Sequence, residues 1–239
     1  MQLRTGQIIP GAETPVGEGI NRPVRTTIRV DEGIHAAVIK RIPQSAVLVE
    51  CFCALLLRGW GLPVPEPILV TEGDNLVFAS IDAGYPNLKQ RLGWRDNLPE
   101  AQAEQLRRIG AAIICAWQDA PKALMADEAI ANADRNLGNF LWDGGEHAYI
   151  DHERSMGLIP HTTNLMAVFA ALAGKTVDME TGAVAAALSA DRGMPASIEN
   201  PEGIDFSPLV AYVETRLPTL ATRVLTRFPK PHDLLTGLP

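Results

Sequence analysis

An α+β fold, β-rich at the start and helical after it, is predicted by three observations. Short β-branched runs broken by glycine and proline fill residues 1–81, and apolar residues at helical spacing dominate from residue 99 onward. A polar loop rich in aspartate and asparagine interrupts the helical part between residues 132 and 151. The 239 residues, 46% hydrophobic and 21% charged, suffice for one ordinary domain or two small lobes sharing a cleft. The expected division is 1–81 and 82–239, with a connector near residues 80–86.

Val24 to Val30 alternates as a half-buried strand, Asp31-Glu32-Gly33 supplies turn chemistry, and Ala36 to Lys40 returns as its partner. A helix follows from Ser45, expected as its N-cap, to Leu57, with apolar residues over most of its surface. Gly59 and Gly61 stop it, and the prolines of Leu62-Pro63-Val64-Pro65-Glu66-Pro67 keep the next stretch extended. Ile68–Val70 and Asn75–Ala79, joined through Glu72-Gly73-Asp74, predict a second hairpin. Pro99 to Asp119 reads as one long helix, with Leu106, Ile109, Ala112, Ile113, Ala116 and Trp117 on one stripe. Three more helices are expected at Thr163–Ala173, Val177–Ala190 and Pro208–Phe228.

Composition narrows the function classes. A formal charge of −7 argues against binding a phosphate backbone, which needs a concentrated basic face. The longest apolar run, Cys51–Leu57, is too short to cross a bilayer, and Met1 to Gly6 has no apolar signal region. Cys51, Cys53 and Cys115 lie in apolar helical stretches and read as buried thiols of a reducing, cytoplasmic compartment. Cys51 and Cys53 point to different helix faces, so they form no metal hook.

The chemistry concentrates in Asn132-Ala133-Asp134-Arg135-Asn136-Leu137-Gly138-Asn139, followed by Phe140-Leu141-Trp142 and Ala148-Tyr149-Ile150-Asp151. A tight Asp143-Gly144-Gly145 turn folds the two apolar runs into a hairpin and returns Asp151 beside Asn139. The pair offers a carboxylate and an amide oxygen to one small hard cation, and sparse oxygen ligation of this kind suits Mg²⁺. Asp134 stands nearby to orient a nucleophile. Upstream, Lys40 ends an apolar strand, and Glu50 lies on a helix too apolar for an unpaired charge. Lys40 is the expected partner of Glu50.

Asp134 to Asn139 as D-x-x-x-x-N, with an aspartate a dozen residues later at a strand end, resembles the protein-kinase-like superfamily. Arginine directly after the first aspartate is more similar to the phosphatidylinositol kinase-like branch and to HipA-like kinases. The span Gly17–Lys40, the Glu50 helix with Leu62-Pro63-Val64-Pro65, and Ile150-Asp151-His152 look most like short HipA-related kinases, over roughly residues 15–160. The resemblance implies a bilobal protein-kinase-like fold and an ATP- and Mg²⁺-dependent transfer of phosphate to a protein serine or threonine. It implies that Asp134, Asn139 and Asp151 are catalytic, the last two holding Mg²⁺. Lys40, clamped by Glu50, would grip the α- and β-phosphates, covered by a loop at Gly17 and Gly19 with Arg22 adding charge. Backbone groups of Ala79 to Ile81 would meet the adenine, and Asp82 the ribose.

The chain also departs from the kinase pattern. Asn136 stands where many protein kinases carry a lysine that neutralises the transferring group. The usual D-F-G becomes Asp151-His152-Glu153, whose glutamate would recruit a second ion or repel phosphate. His152 reads as a packing or hydrogen-bonding residue. Two readings on the same fold stay open: a nucleotide-binding pseudokinase and an adenylyltransferase. A transition-metal site through His147 and His152 lacks a third ligand at suitable spacing. No basic membrane-facing cluster is visible, so a lipid acceptor is not expected.

Overall fold

A computed structural model describes residues 1–228 except 12, 17–20 and 32. Gly17 and Gly19, with the phosphate-covering role expected of them, lie outside the described residues. Strands β1 (Arg4–Ile8), β2 (Thr14–Pro15), β3 (Val24–Val30), β4 (Gly33–Lys40), β5 (Pro67–Glu72) and β6 (Asn75–Ile81) form one sheet in the order β1-β5-β6-β4-β3-β2. Both expected hairpins are present, with Val24 opposite Ile39 and Ile68 opposite Ala79.

The first strand, absent from the sequence expectation, closes this sheet. Its first half runs parallel to β5 (Arg4 opposite Ile68) and its second half antiparallel to β3 (Ile8 opposite Ile28). Every second residue then points into a small barrel interior filled by Ile28, Val30, Ala37, Ile39, Ile68, Val70, Val77 and Ala79. Gly6 sits where β1 passes from one neighbour to the other. A Cβ there would lie 3.0 Å from the Arg29 carbonyl oxygen and 3.0 Å from Ile68 Cγ2, so the closure needs glycine.

Helix α1 (Gln44–Gly59) starts one residue before Ser45, with Pro43 as N-cap and no side-chain cap, so Ser45 lies inside the first turn. The helix is apolar nearly all round because it is covered on both sides. The outer face of β5 and β6 lies on one side, and the helical part on the other, where Phe52 meets Phe206 with ring centroids 5.5 Å apart.

The expected Pro99–Asp119 helix ends short, and a helix that the sequence reading did not expect follows it. After the short α2 (Leu88–Arg91), α3 (Glu100–Cys115) ends early, and α4 (Ala120–Ile130) begins anew with proline in its first turn. The buried face of α3 is also rotated from the expected stripe. Ala103, Gly110, Ala111 and Ile114 are inside, whereas Ile109 is 41% exposed. Small residues face inward because α3 lies close against the loop after α4: a Cβ on Gly110 would come 2.8 Å from Leu137 Cδ2 and 3.3 Å from Leu92 Cδ1. Gly110→Val is therefore expected to destabilise the protein by about 1–3 kcal/mol through overpacking, measured by urea unfolding. An unchanged midpoint would show that Leu137 yields freely.

Strands β7 (Phe140–Trp142) and β8 (His147–Tyr149) form the third expected hairpin, with Phe140 opposite Tyr149. Helices α5 (Leu165–Leu172) and α6 (Thr176–Ser189) match expectation closely. The expected Pro208–Phe228 helix breaks into α7 (Ser207–Arg216), a 3-10 turn at Leu217–Thr219, and α8 (Leu220–Leu225), because Pro218 removes a backbone donor. Among the described residues, no helix is long and apolar enough to cross a membrane.

Candidate active site

A cleft of about 860 Å³ opens between the barrel and the helical part, and Lys40, Glu50, Asp134, Asn139 and Asp151 all line it. Alternation along β4 puts Ala37 and Ile39 in the barrel and Lys40 on the opposite face, beside Phe78 of the neighbouring strand. Its Nζ lies 2.8 Å from Asp151 Oδ1, 3.5 Å from Glu50 Oε1 and 3.5 Å from Glu153 Oε2. The expected Lys40–Glu50 pair is thus present, and Asp151 approaches the ammonium more closely than Glu50 does.

One lysine faces three carboxylates, and the charges answer to one another. Burial opposes the charge on Lys40, but Glu50, Asp151 and Glu153 outweigh it and hold its pKa above the ordinary lysine value. Burial likewise opposes the Glu50 carboxylate, yet Lys40 and His152 hold it ionised, below the usual carboxylate range. Burial pushes the Glu153 carboxyl up, and repulsion from Asp151 and Glu50 keeps it up against the pull of Lys40.

Glu50 has a second task that the sequence did not suggest. Its Oε2 accepts the backbone N–H of His152, tying the segment after Asp151 to α1. Asp151 takes a left-handed backbone conformation, φ 68°, one that aspartate tolerates better than most residues. The His152 side chain is buried, and neither ring nitrogen has a hydrogen-bond partner among the described residues. It packs. His147 points elsewhere, stacked 4.0 Å from Trp117 and bonded to Asp119 at 2.9 Å, so it shares no metal site with His152.

Asp134 lies in the loop between α4 and a 3-10 turn at Leu137–Asn139. Its Oδ1 accepts from Asn136 Nδ2 at 3.1 Å, and its Oδ2 faces Arg154 Nη1 at 3.3 Å. Asn139 donates its amide N–H to the Asp134 carbonyl, which leaves the amide oxygen as its acceptor end. The Asn139 carbonyl accepts the Ile150 N–H at 3.1 Å, so the hairpin brings the Asp151 segment back to Asn139 as expected. Hard oxygen donors from Asn139 and Asp151, with Glu153 and Glu50 close by, fit a divalent cation of the Mg²⁺ type.

The loop is held from behind by residues that sequence reasoning passes over. Arg135, 1% exposed, turns away from the cleft and forms a fork with Asp127 of α4 at 2.8 and 3.1 Å. It also donates to the Ile150 carbonyl at 2.8 Å, and its guanidinium lies 5.6 Å from the Tyr149 ring. Asn132 Nδ2 adds a 2.9 Å bond to Asp127. The acid pair Asp127-Glu128 inside Ala-Leu-Met-Ala-Asp-Glu-Ala-Ile was the available signal, since an unpaired acid on so apolar a helix is as costly there as at Glu50.

Some expected nucleotide contacts are placed differently. Ala79 is fully buried in the barrel, and β6 continues to Ile81 because pairing with both neighbours persists. The Ile81 N–H is spent on the Glu66 carbonyl and the Asp82 N–H on the Ala36 carbonyl, so these donors serve the sheet. Ile81 and Asp82 still line the cleft, but Asp82 is paired with Arg25 and accepts the Gly84 N–H at 2.9 Å. Arg22 is exposed and outside the cleft lining; its neighbour Asn21 faces inward and donates to Glu153.

Neither a protein-family model nor a curated protein sequence matches the chain. Solved structures share its fold, the following two among them. The Helicobacter pylori proinflammatory kinase CtkA superposes with a TM-score of 0.55 at 14% identity, covering 95% of this chain and 98% of that one. HipA of Shewanella oneidensis MR-1, from the toxin–antitoxin complex with HipB and operator DNA, gives a TM-score of 0.55 at 12% identity, covering 92% of this chain and 67% of that one. The chain therefore has a HipA-like kinase fold.

Proposed function

We propose that this protein is an ATP- and Mg²⁺-dependent phosphotransferase acting on a serine or threonine hydroxyl of another protein. The observation that carries this reading is the convergence on one cleft of Lys40, Asp134, Asn139 and Asp151 from separate stretches of the chain. Residues 1–81 would form the nucleotide-binding part and 82–239 the catalytic part. The nucleotide and metal would supply the transferable phosphoryl group and neutralise its charge. Lys40 would exchange its contact with Asp151 for phosphate oxygens while Glu50 keeps it in place. Asn139 and Asp151 would hold the metal, and Asp134 would orient the acceptor hydroxyl and take its proton. The acceptor class rests on the resemblance of the Asp134–Asp151 motifs to HipA-like kinases. Three free thiols fit a reducing, cytoplasmic setting.

The test is incubation with Mg²⁺ and γ- or α-labelled ATP, read by mass spectrometry, with thermal stability measured in the same samples. Label from the γ position on serine or threonine is the expected result. Label from the α position would make the protein an adenylyltransferase, and nucleotide binding without transfer, even with an identified acceptor present, would make it a pseudokinase. Saturation at a hundred times Kd should stabilise the fold by about 2.7 kcal/mol. No stabilisation at all would refute the nucleotide site.

A further inference from the structure

Phosphoryl transfer spreads negative charge over the oxygens of the moving group, and cations placed there lower the barrier. The cleft is poorly supplied with them. Asn136, where many protein kinases carry a lysine, is neutral and donates to Asp134. Arg135 is buried on the far side with Asp127. Four cationic side chains line the cleft among the described residues: Arg25, Lys40, Lys89 and Arg154. Arg25 is committed to Asp82, Lys40 to its three carboxylates, and Lys89 lies over Trp94 and 3.7 Å from Asp96.

Arg154 alone of these four is paired with Asp134. It follows the metal-site aspartate by three residues, its side chain is 46% exposed, and its ion pair is one 3.3 Å contact to Asp134 Oδ2. Among the described residues, the remaining guanidinium donors are free for a phosphate, which a planar fork suits well. We infer that Arg154 is a further catalytic residue, the cation that binds the transferring phosphoryl group beside Asp134 in place of the missing lysine. This rests on the phosphotransferase reading. In the step, the acceptor oxygen bonds to the γ-phosphorus while the bond to the β,γ-bridging oxygen breaks. ADP leaves with that electron pair, the hydroxyl proton goes to Asp134, and Arg154 remains a cation throughout.

The test needs no acceptor. Affinity for ADP and Mg²⁺ is measured with and without aluminium fluoride, which mimics the transferring group, for wild type, Arg154→Ala and Arg154→Lys. Wild type is expected to bind the fluoride adduct more tightly than ADP alone. Arg154→Ala should lose about 10²-fold of that gain with ADP affinity unchanged, and Arg154→Lys should recover part of it. Arg154→Ala keeping the full gain, or losing ADP affinity equally, would overturn the inference about Arg154. A wild type that binds no ADP, or gains nothing from fluoride, would instead overturn the phosphotransferase reading on which it rests.

Discussion

Asp134→Asn is expected to lower phosphoryl transfer by about 10²- to 10⁴-fold while leaving nucleotide affinity unchanged. The substitution keeps the size of the side chain and removes its charge and basicity. It spares the backbone carbonyl that accepts from Asn139, so the placement of the Asn139 side chain keeps its support. It also spares Lys40, whose partners are Glu50, Asp151 and Glu153. A group that acts only on the acceptor hydroxyl should therefore change kcat and not the apparent affinity for ATP. Steady-state kinetics with an identified acceptor, beside calorimetric ATP binding, would check this. Equal losses in both would mean that Asp134 shapes the nucleotide site instead.

Asp127→Ala should destabilise the protein more than Gly110→Val does. Arg135 would stay buried between the Phe140 and Tyr149 rings with its carboxylate gone, and Asn132 would lose an acceptor. Removing one member of a buried ion pair costs about 3–5 kcal/mol, because the remaining charge has neither water nor partner. That is a large share of the roughly 5–15 kcal/mol that holds a domain folded. Urea unfolding gives the number directly. The paired change Asp127→Leu with Arg135→Met removes both charges and should restore much of the loss. A cost below about 1 kcal/mol for Asp127→Ala would show that water reaches Arg135.

Both hairpins of the barrel were legible because alternation and turn chemistry belong to a few adjacent residues. The Phe140–Asp151 segment was legible for the same reason. Glu50 was legible because its helix is too apolar to leave a charge unpaired. β1 was not, since Arg-Thr-Gly-Gln-Ile has little apolar alternation and is held by two neighbours distant in sequence. The early end of α3 and its rotated face escaped because small residues mark close helix contacts only when the facing element is known.

The identities of the acid, amide and lysine that build the site, and the turn that returns Asp151 to Asn139, were determined by the sequence alone. They depend on residue type and spacing over about a dozen positions. Tertiary structure decided which charges meet. Lys40 lies closer to Asp151 than to Glu50, Arg135 turns away to Asp127, and Arg154 comes over Asp134. Partners among buried charges are settled by distance through space once water has left, and a sequence of many acids and bases admits many such pairings before the chain folds.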